Sequence, residues 1–132
     1  MITRLKDNQI FVFGSNARGF HAGGAARQAV DSFGAIMGRA EGLQGQSYGI
    51  VTLDEHMLRV PLWYIEEQLE ELREFAINNP DKEFLVTAIG CGIAGFKVVE
   101  IATIIRDIGK NAGAWPGNVI FPEEFEKYMN AK

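Results

Sequence analysis

Two runs of β-branched and aromatic residues each end in a glycine-rich turn that opens a helical pattern. The first is Ile10-Phe11-Val12-Phe13, continued by Gly14-Ser15-Asn16-Ala17-Arg18-Gly19-Phe20-His21-Ala22-Gly23-Gly24. The second is Phe84-Leu85-Val86-Thr87-Ala88-Ile89, continued by Gly90-Cys91-Gly92-Ile93-Ala94-Gly95. A strand, a glycine turn and a helix in succession aim bare backbone N–H groups at an anion. Glycine permits close backbone approach, and the helix N-terminus adds partial positive charge. Two such turns in a chain of 132 residues point to two phosphates, and so to a dinucleotide or an ADP-ribose-like ligand.

The rest of the chain repeats this alternation, with no linker, repeat or low-complexity tract. Strands are expected at about 10–14, 48–52, 84–89 and 118–121. Ala25, Ala29, Val30 and Phe33 share one face of a helix that starts near Ala22. Glycines 34, 38, 42 and 45 punctuate the stretch after it. Pro61 suits a first helical turn, and Leu62, Ile65, Leu69, Leu72 and Ala76 follow at spacings of three and four. Glu66, Glu67, Glu70 and Glu71 fall on the opposite face, which reads as solvated. Ile101, Ile104, Ile105 and Ile108 mark a third helix ending near Gly109, and Pro122 opens a short terminal one. Repeated β–α units predict an α/β fold with a mostly parallel central sheet and helices on both faces, built as one domain over 1–132. Ligands of such sheets sit beyond the carboxyl ends of the strands, where strand order reverses. Both glycine turns meet there if their strands are neighbours.

Composition removes other classes. A net charge of −4 with no basic run argues against nucleic acid as a partner. No apolar stretch approaches the roughly 20 residues that cross a bilayer, so no membrane partner is expected. Cys91 is the one cysteine, which fits a reducing compartment, and the start of the chain does not resemble a signal peptide. A cytoplasmic protein is expected.

Individual residues carry alternatives. Gly90 to Gly95 satisfies G-x-G-x-x-G after a strand and before a helix. A dinucleotide oxidoreductase, however, places that turn in its opening unit, with an acidic residue about 20 positions on. Neither turn ends in the Lys-Ser/Thr of a P-loop. Glycines needed only for tight turns are the plain alternative. Asn16 is either a turn former or an amide that bonds a ribose or orients a water. His21 is either a loop histidine or an acid–base group near neutral pH. Phe20 and Phe96 are either stacking surfaces or loop anchors. Cys91 reads as a small packed residue, since no base accompanies it. Arg18 is either solvated or a phosphate partner. Asp54-Glu55-His56 is a weak metal set that reads as a surface loop, and no metal or cofactor is expected. Trp63 and Trp115 read as packing residues.

At these residues the chain resembles a macro domain, the ADP-ribose-binding module. The family's asparagine at a strand end and the glycine loop after it are matched by Asn16 and by Gly19-Phe20-His21-Ala22-Gly23-Gly24-Ala25-Ala26. Its second phosphate loop is matched by Gly90-Cys91-Gly92-Ile93-Ala94-Gly95-Phe96. The likeness is strongest to small macro-like proteins of bacteria and phages, through residues 13–16, 47–48 and 89–95. It implies a three-layer macro-like fold, with the two loop-bearing strands adjacent. It also implies an ADP-ribose pyrophosphate held between the loops, by Gly14, Ser15, Asn16, Gly19, Phe20, Gly23 and Gly24 on one side. Gly90 to Phe96 would hold it from the other. Asp7 would meet the adenine. The chain departs from de-ADP-ribosylating members, which carry an acidic residue where Ala26 and Arg27 stand, and it lacks the double-glutamate loop of poly-ADP-ribose glycohydrolases. The expectation is therefore a reader or sequestering module for ADP-ribose or a related nucleotide. The alternatives are a hydrolase that removes ADP-ribose from a target, with Asn16 and His21 handling the water, and a protein-interaction module that has lost its ligand.

Overall fold

The computed structural model describes residues 2–129. Its elements are β1 (Gln9–Asn16), α1 (Gly24–Ser32), β2 (Gly42–Gln44), β3 (Ser47–Leu53) and α2 (Leu62–Ile77), followed by β4 (Glu83–Val86), α3 (Val98–Asn111), β5 (Val119–Ile120) and α4 (Glu123–Met129). The strands form one sheet in the order β2-β3-β1-β4-β5. All neighbours are parallel except β2, which runs antiparallel to β3.

Alternation along β1 explains the layers. Successive side chains of a strand point to opposite faces. Ile10 and Val12 enter the larger core, with Ile65, Leu69 and Leu72 of α2, Ile101, Ile105 and Ile108 of α3, and Phe125 of α4. Phe11 and Phe13 enter the smaller core on the other face, against Ala29 of α1 and Phe33 beyond it. The result is a three-layer α/β arrangement with a mixed, mostly parallel sheet. Each large apolar side chain so buried contributes about 1.5–3 kcal/mol. Central β1 and β3 are therefore held rigidly, and the loops at their carboxyl ends start from fixed points.

Several boundaries differ from the sequence expectation. The strand expected at 84–89 ends at Val86, because the chain turns where the Ile89 N–H donates to the Thr87 carbonyl at 2.7 Å. The helix expected from Ala22 begins at Gly24. β2 lies unannounced inside the glycine-punctuated stretch, where Leu43 pairs with Tyr48. Trp63 is 63% exposed rather than packed, whereas Trp115 stacks edge-on against Phe121 and donates from Nε1 to the Ile105 carbonyl. No helix among the described residues is long and apolar enough to cross a membrane.

Candidate functional site

β1 lies between β3 and β4, so the chain leaves β1 toward one side and later returns on the other. Both glycine turns consequently flank one crevice of about 340 Å³ at the carboxyl end of β1. Its floor comes from three adjacent strand ends: Gly14 to Asn16, Thr52 and Leu53, and Thr87 to Gly90. The Thr52 hydroxyl donates to the Ser15 carbonyl at 3.2 Å, and the Thr87 hydroxyl donates to the Val12 carbonyl at 2.8 Å. These bonds fasten the ends of β3 and β4 to β1.

The first wall is the turn 20–23 and the opening of α1 through Ala26. The first N–H groups of a helix have no acceptor within it. In α1 the earliest helical bond runs from the Arg27 N–H to the Gly23 carbonyl. The amides of Gly24, Ala25 and Ala26 are thereby left free at the crevice. No side chain caps this terminus and no acidic residue stands in its first turn. Its positive end is uncompensated.

The opposite wall is the turn through Gly92, Ile93 and Ala94. Within it the Cys91 N–H donates to Ala88, Gly95 to Gly92, and Phe96 to Gly90. Among the described residues, the N–H groups of Gly90, Gly92, Ile93 and Ala94 donate to no protein acceptor. Gly90 takes φ +76, and a Cβ there would press on the Phe96 ring at 3.1 Å. Ile93 at 78% exposure, Phe20 at 60% and Met57 form an apolar rim.

No ionisable side chain lines this crevice among the described residues. His21, expected as an acid–base group, is fully buried although its neighbours Phe20 and Ala22 line the wall. Its Nε2 lies 2.9 Å from the Arg39 carbonyl, its ring stands edge-on to Phe13, and Nδ1 has no partner. The ring thus braces the loop from behind and does not line the crevice. Asn16 lines the crevice, but both ends of its amide are tied to the Phe20 peptide.

The remaining expected residues divide cleanly. Gly14, Ser15, Gly23, Gly24, Gly90, Gly92, Ile93 and Ala94 line the crevice. Gly19, Cys91, Gly95 and Phe96 do not. Gly19 packs against the Gly38–Arg39 backbone so closely that a Cβ would come within 2.4 Å of it. Phe96 is buried, with the Arg59 guanidinium 5.4 Å above its ring. Burial pushes the Cys91 thiol up, as do the charges of Glu124 and Glu100. Arg18 is exposed outside the crevice. Asp7 lies before the amino end of β1, seven residues from Gly14; at about 3.3 Å per strand residue that is roughly 20 Å away. Asp7 therefore does not line the crevice.

Thr52, Leu53, Met57, Thr87, Ala88 and Ile89 line the site without having been expected. Their signal was positional: each follows or ends a strand that neighbours β1. Asp54 forms a turn instead of a metal site, its carboxylate accepting from the N–H groups of His56 and Leu58. The Leu58 amide is the main cause that holds its carboxyl below the usual range. Compared with protein-family models, curated proteins and solved structures, the chain has no match.

Proposed function

We propose that the chain is a macro-like domain that binds ADP-ribose or a closely related nucleotide in this crevice, as a reader or sequestering module. The observation that carries the reading is the presence of two sets of free amides, those of Gly24, Ala25 and Ala26 and those of Gly90, Gly92, Ile93 and Ala94, on opposite walls of one crevice. Such groups bind phosphate oxygens without basic side chains. Free amides on two walls suit the two phosphates of a pyrophosphate, and the apolar rim of Phe20, Met57 and Ile93 suits the less polar parts of a nucleoside. A volume of about 340 Å³ falls within the range of small-molecule sites.

Binding is preferred to hydrolysis for a specific reason. The wall offers no carboxylate or imidazole to activate a water, and the Asn16 amide is occupied by its own loop. Calorimetric titration with ADP-ribose, alongside AMP and NAD, tests the proposal. Saturable binding selective for ADP-ribose is expected. Absence of binding to all three, by protein that is folded, would overturn it.

A further inference from the structure

Among the described residues, Met57 is the one non-glycine residue on a left-handed backbone, at φ 62. Nine glycines take positive φ, so the chain elsewhere gives that conformation to the residue that adopts it without steric cost. An L side chain there crowds the following carbonyl oxygen. Met57 is also not held by packing. It is 45% exposed, belongs to neither hydrophobic core, and lines the crevice beyond the end of β3.

The surrounding turn imposes this conformation. After Leu53 the chain doubles back on itself: Arg59 bridges to Leu53, and the Val60 N–H donates to the Thr52 carbonyl at 3.0 Å. Inside this hairpin the Asp54 N–H donates to the Leu58 carbonyl at 2.7 Å, and the Met57 N–H donates to the Asp54 carbonyl at 3.0 Å. The Asp54 carboxylate closes the loop from within, accepting from the N–H groups of His56 at 2.8 Å and Leu58 at 3.0 Å. A three-residue hairpin loop built this way ends in a left-handed residue, for which glycine is the usual choice. The hairpin is also anchored to the second wall. The Arg59 guanidinium lies 5.4 Å above the ring of Phe96, the same ring that a Cβ at Gly90 would press at 3.1 Å. Met57 is thus presented to the crevice from a fixed base, on the backbone least suited to it. Strain of this kind persists where the surroundings over-determine it, and such positions cluster at ligand sites.

We propose that Met57 is the residue that contacts the nucleobase of the bound ligand, and that the Asp54 turn is the device that positions it. This inference rests on the nucleotide reading of the crevice and adds the residue that selects for a base. The two walls supply amides for phosphates, whereas no ionisable side chain lines the crevice to read a base edge. A base is then recognised by its face. An unbranched, polarizable thioether suits that contact, because sulfur packs favourably against aromatic rings and the side chain adapts to irregular space. Phe20 and Ile93, both exposed, complete the apolar rim around it. Such a contact rewards a ligand that carries an aromatic base over a phosphate or sugar alone. Asp54 touches no ligand in this arrangement and is a positioning residue.

The test is methyl NMR of the full chain labelled with carbon-13 at the methionine methyl groups. The sequence has four methionines, and loss of one signal in Met57→Leu assigns the resonance. Titration with ADP-ribose should move the Met57 methyl upfield, as the face of an aromatic ring does, and the shift should saturate. Inorganic pyrophosphate, which has no base, should not produce that shift. Calorimetry should show Met57→Gly weakening ADP-ribose binding about five- to tenfold, the loss of one sulfur–aromatic contact with its apolar surface. Met57→Leu, which keeps an apolar side chain on the same backbone, should recover part of that loss. Met57→Gly should melt no lower than the parent, because relief of the left-handed strain offsets the added freedom of glycine in the unfolded chain. A parent protein that binds ADP-ribose while its Met57 methyl stays unmoved, or while Met57→Gly binds equally well, overturns this proposal and spares the nucleotide reading. The same upfield shift with pyrophosphate, or a lowered melting temperature in Met57→Gly, also overturns it, since the side chain would then be serving the loop. A parent protein that binds no nucleotide overturns both.

Discussion

The side-chain amide of Asn16 grips the peptide of Phe20 from both ends: Nδ2 donates to its carbonyl at 2.8 Å and Oδ1 accepts from its N–H at 3.1 Å. This pairing folds the chain back immediately after β1 and sets the height of the first wall. Asn16→Ala removes both bonds and should cost about 1–3 kcal/mol in urea denaturation. Asn16→Asp keeps the acceptor but sets a carboxylate oxygen against the Phe20 carbonyl, so it should be at least as damaging at neutral pH. Both variants should weaken ADP-ribose binding by loosening the wall, which calorimetry on the folded proteins would report.

Two glycines of the second turn should behave in opposite ways. A Cβ at Gly92 would meet nothing within 4 Å, and the position faces the crevice. Gly92→Val should therefore leave stability within about 0.5 kcal/mol of the parent while abolishing saturable nucleotide binding. Gly90 combines φ +76 with a Phe96 contact at 3.1 Å. Gly90→Ala should lower stability by about 1–3 kcal/mol through the left-handed backbone and the displaced ring. Thermal unfolding beside a ligand titration separates the two effects.

Cys91 sits between these glycines without reaching the crevice, and its Sγ lies 3.5 Å from the Ile89 carbonyl. Its raised pKa, caused first by burial and then by Glu124 and Glu100, means that less thiolate is present at any given pH than in a free thiol. The thiolate is the reactive form. Alkylation by iodoacetamide should be slower than that of glutathione at neutral pH. The rate should rise as pH climbs through a range displaced upward from the ordinary thiol. Mass spectrometry across a pH series would follow it, and a rate equal to glutathione at pH 7 would contradict the assignment.

Much of this arrangement was legible in the residues. The continuous apolar run Ile10 to Phe13 announced a strand buried on both faces, and the two glycine turns announced a shared crevice once their strands were neighbours. β2 was hidden because it has three residues, and its one large apolar side chain, Leu43, is substantially exposed. No hydrophobic period can reveal such a strand; its pairing with β3 creates it. The inward turn of His21 was equally hidden, since it sits at the centre of a tight turn closed by the Ala22 N–H donating to the Phe20 carbonyl, which leaves Phe20 and Ala22 on the crevice and His21 behind them. Which side faces the crevice depends on Phe13 and Arg39, which contact the ring from elsewhere in the chain. Trp63 misled for a different reason: it stands in the first turn of α2 on the exposed side of the helix, with its ring edge-on to that of Tyr64 at 5.8 Å.

Gln68 supplies the last test, because it substitutes for a missing strand. Past Gly49 the open edge of β3 has no β2 partner, and Gln68 satisfies both polar groups of Val51, accepting from its N–H at 2.6 Å and donating to its carbonyl at 2.9 Å. Gln68→Leu would fill the space but strand two buried backbone groups, a loss of about 2–4 kcal/mol. Gln68→Glu would still accept from the Val51 N–H. Its second oxygen, however, would face the Val51 carbonyl with no proton to offer, and burial would raise its pKa. With the folded pKa raised above the unfolded value, the neutral form is the one the fold tolerates. Stability of the Glu variant should therefore recover as pH falls from the raised folded pKa to the ordinary carboxylate range, and be fully recovered below it, because the protonated carboxyl can donate to Val51. The Leu variant has nothing to protonate, so its deficit relative to the parent should show no such recovery. Urea denaturation of all three proteins at neutral and mildly acidic pH distinguishes them. Equal behaviour of the Glu and Leu variants across that range would mean that packing, rather than the two bonds to Val51, is what Gln68 contributes.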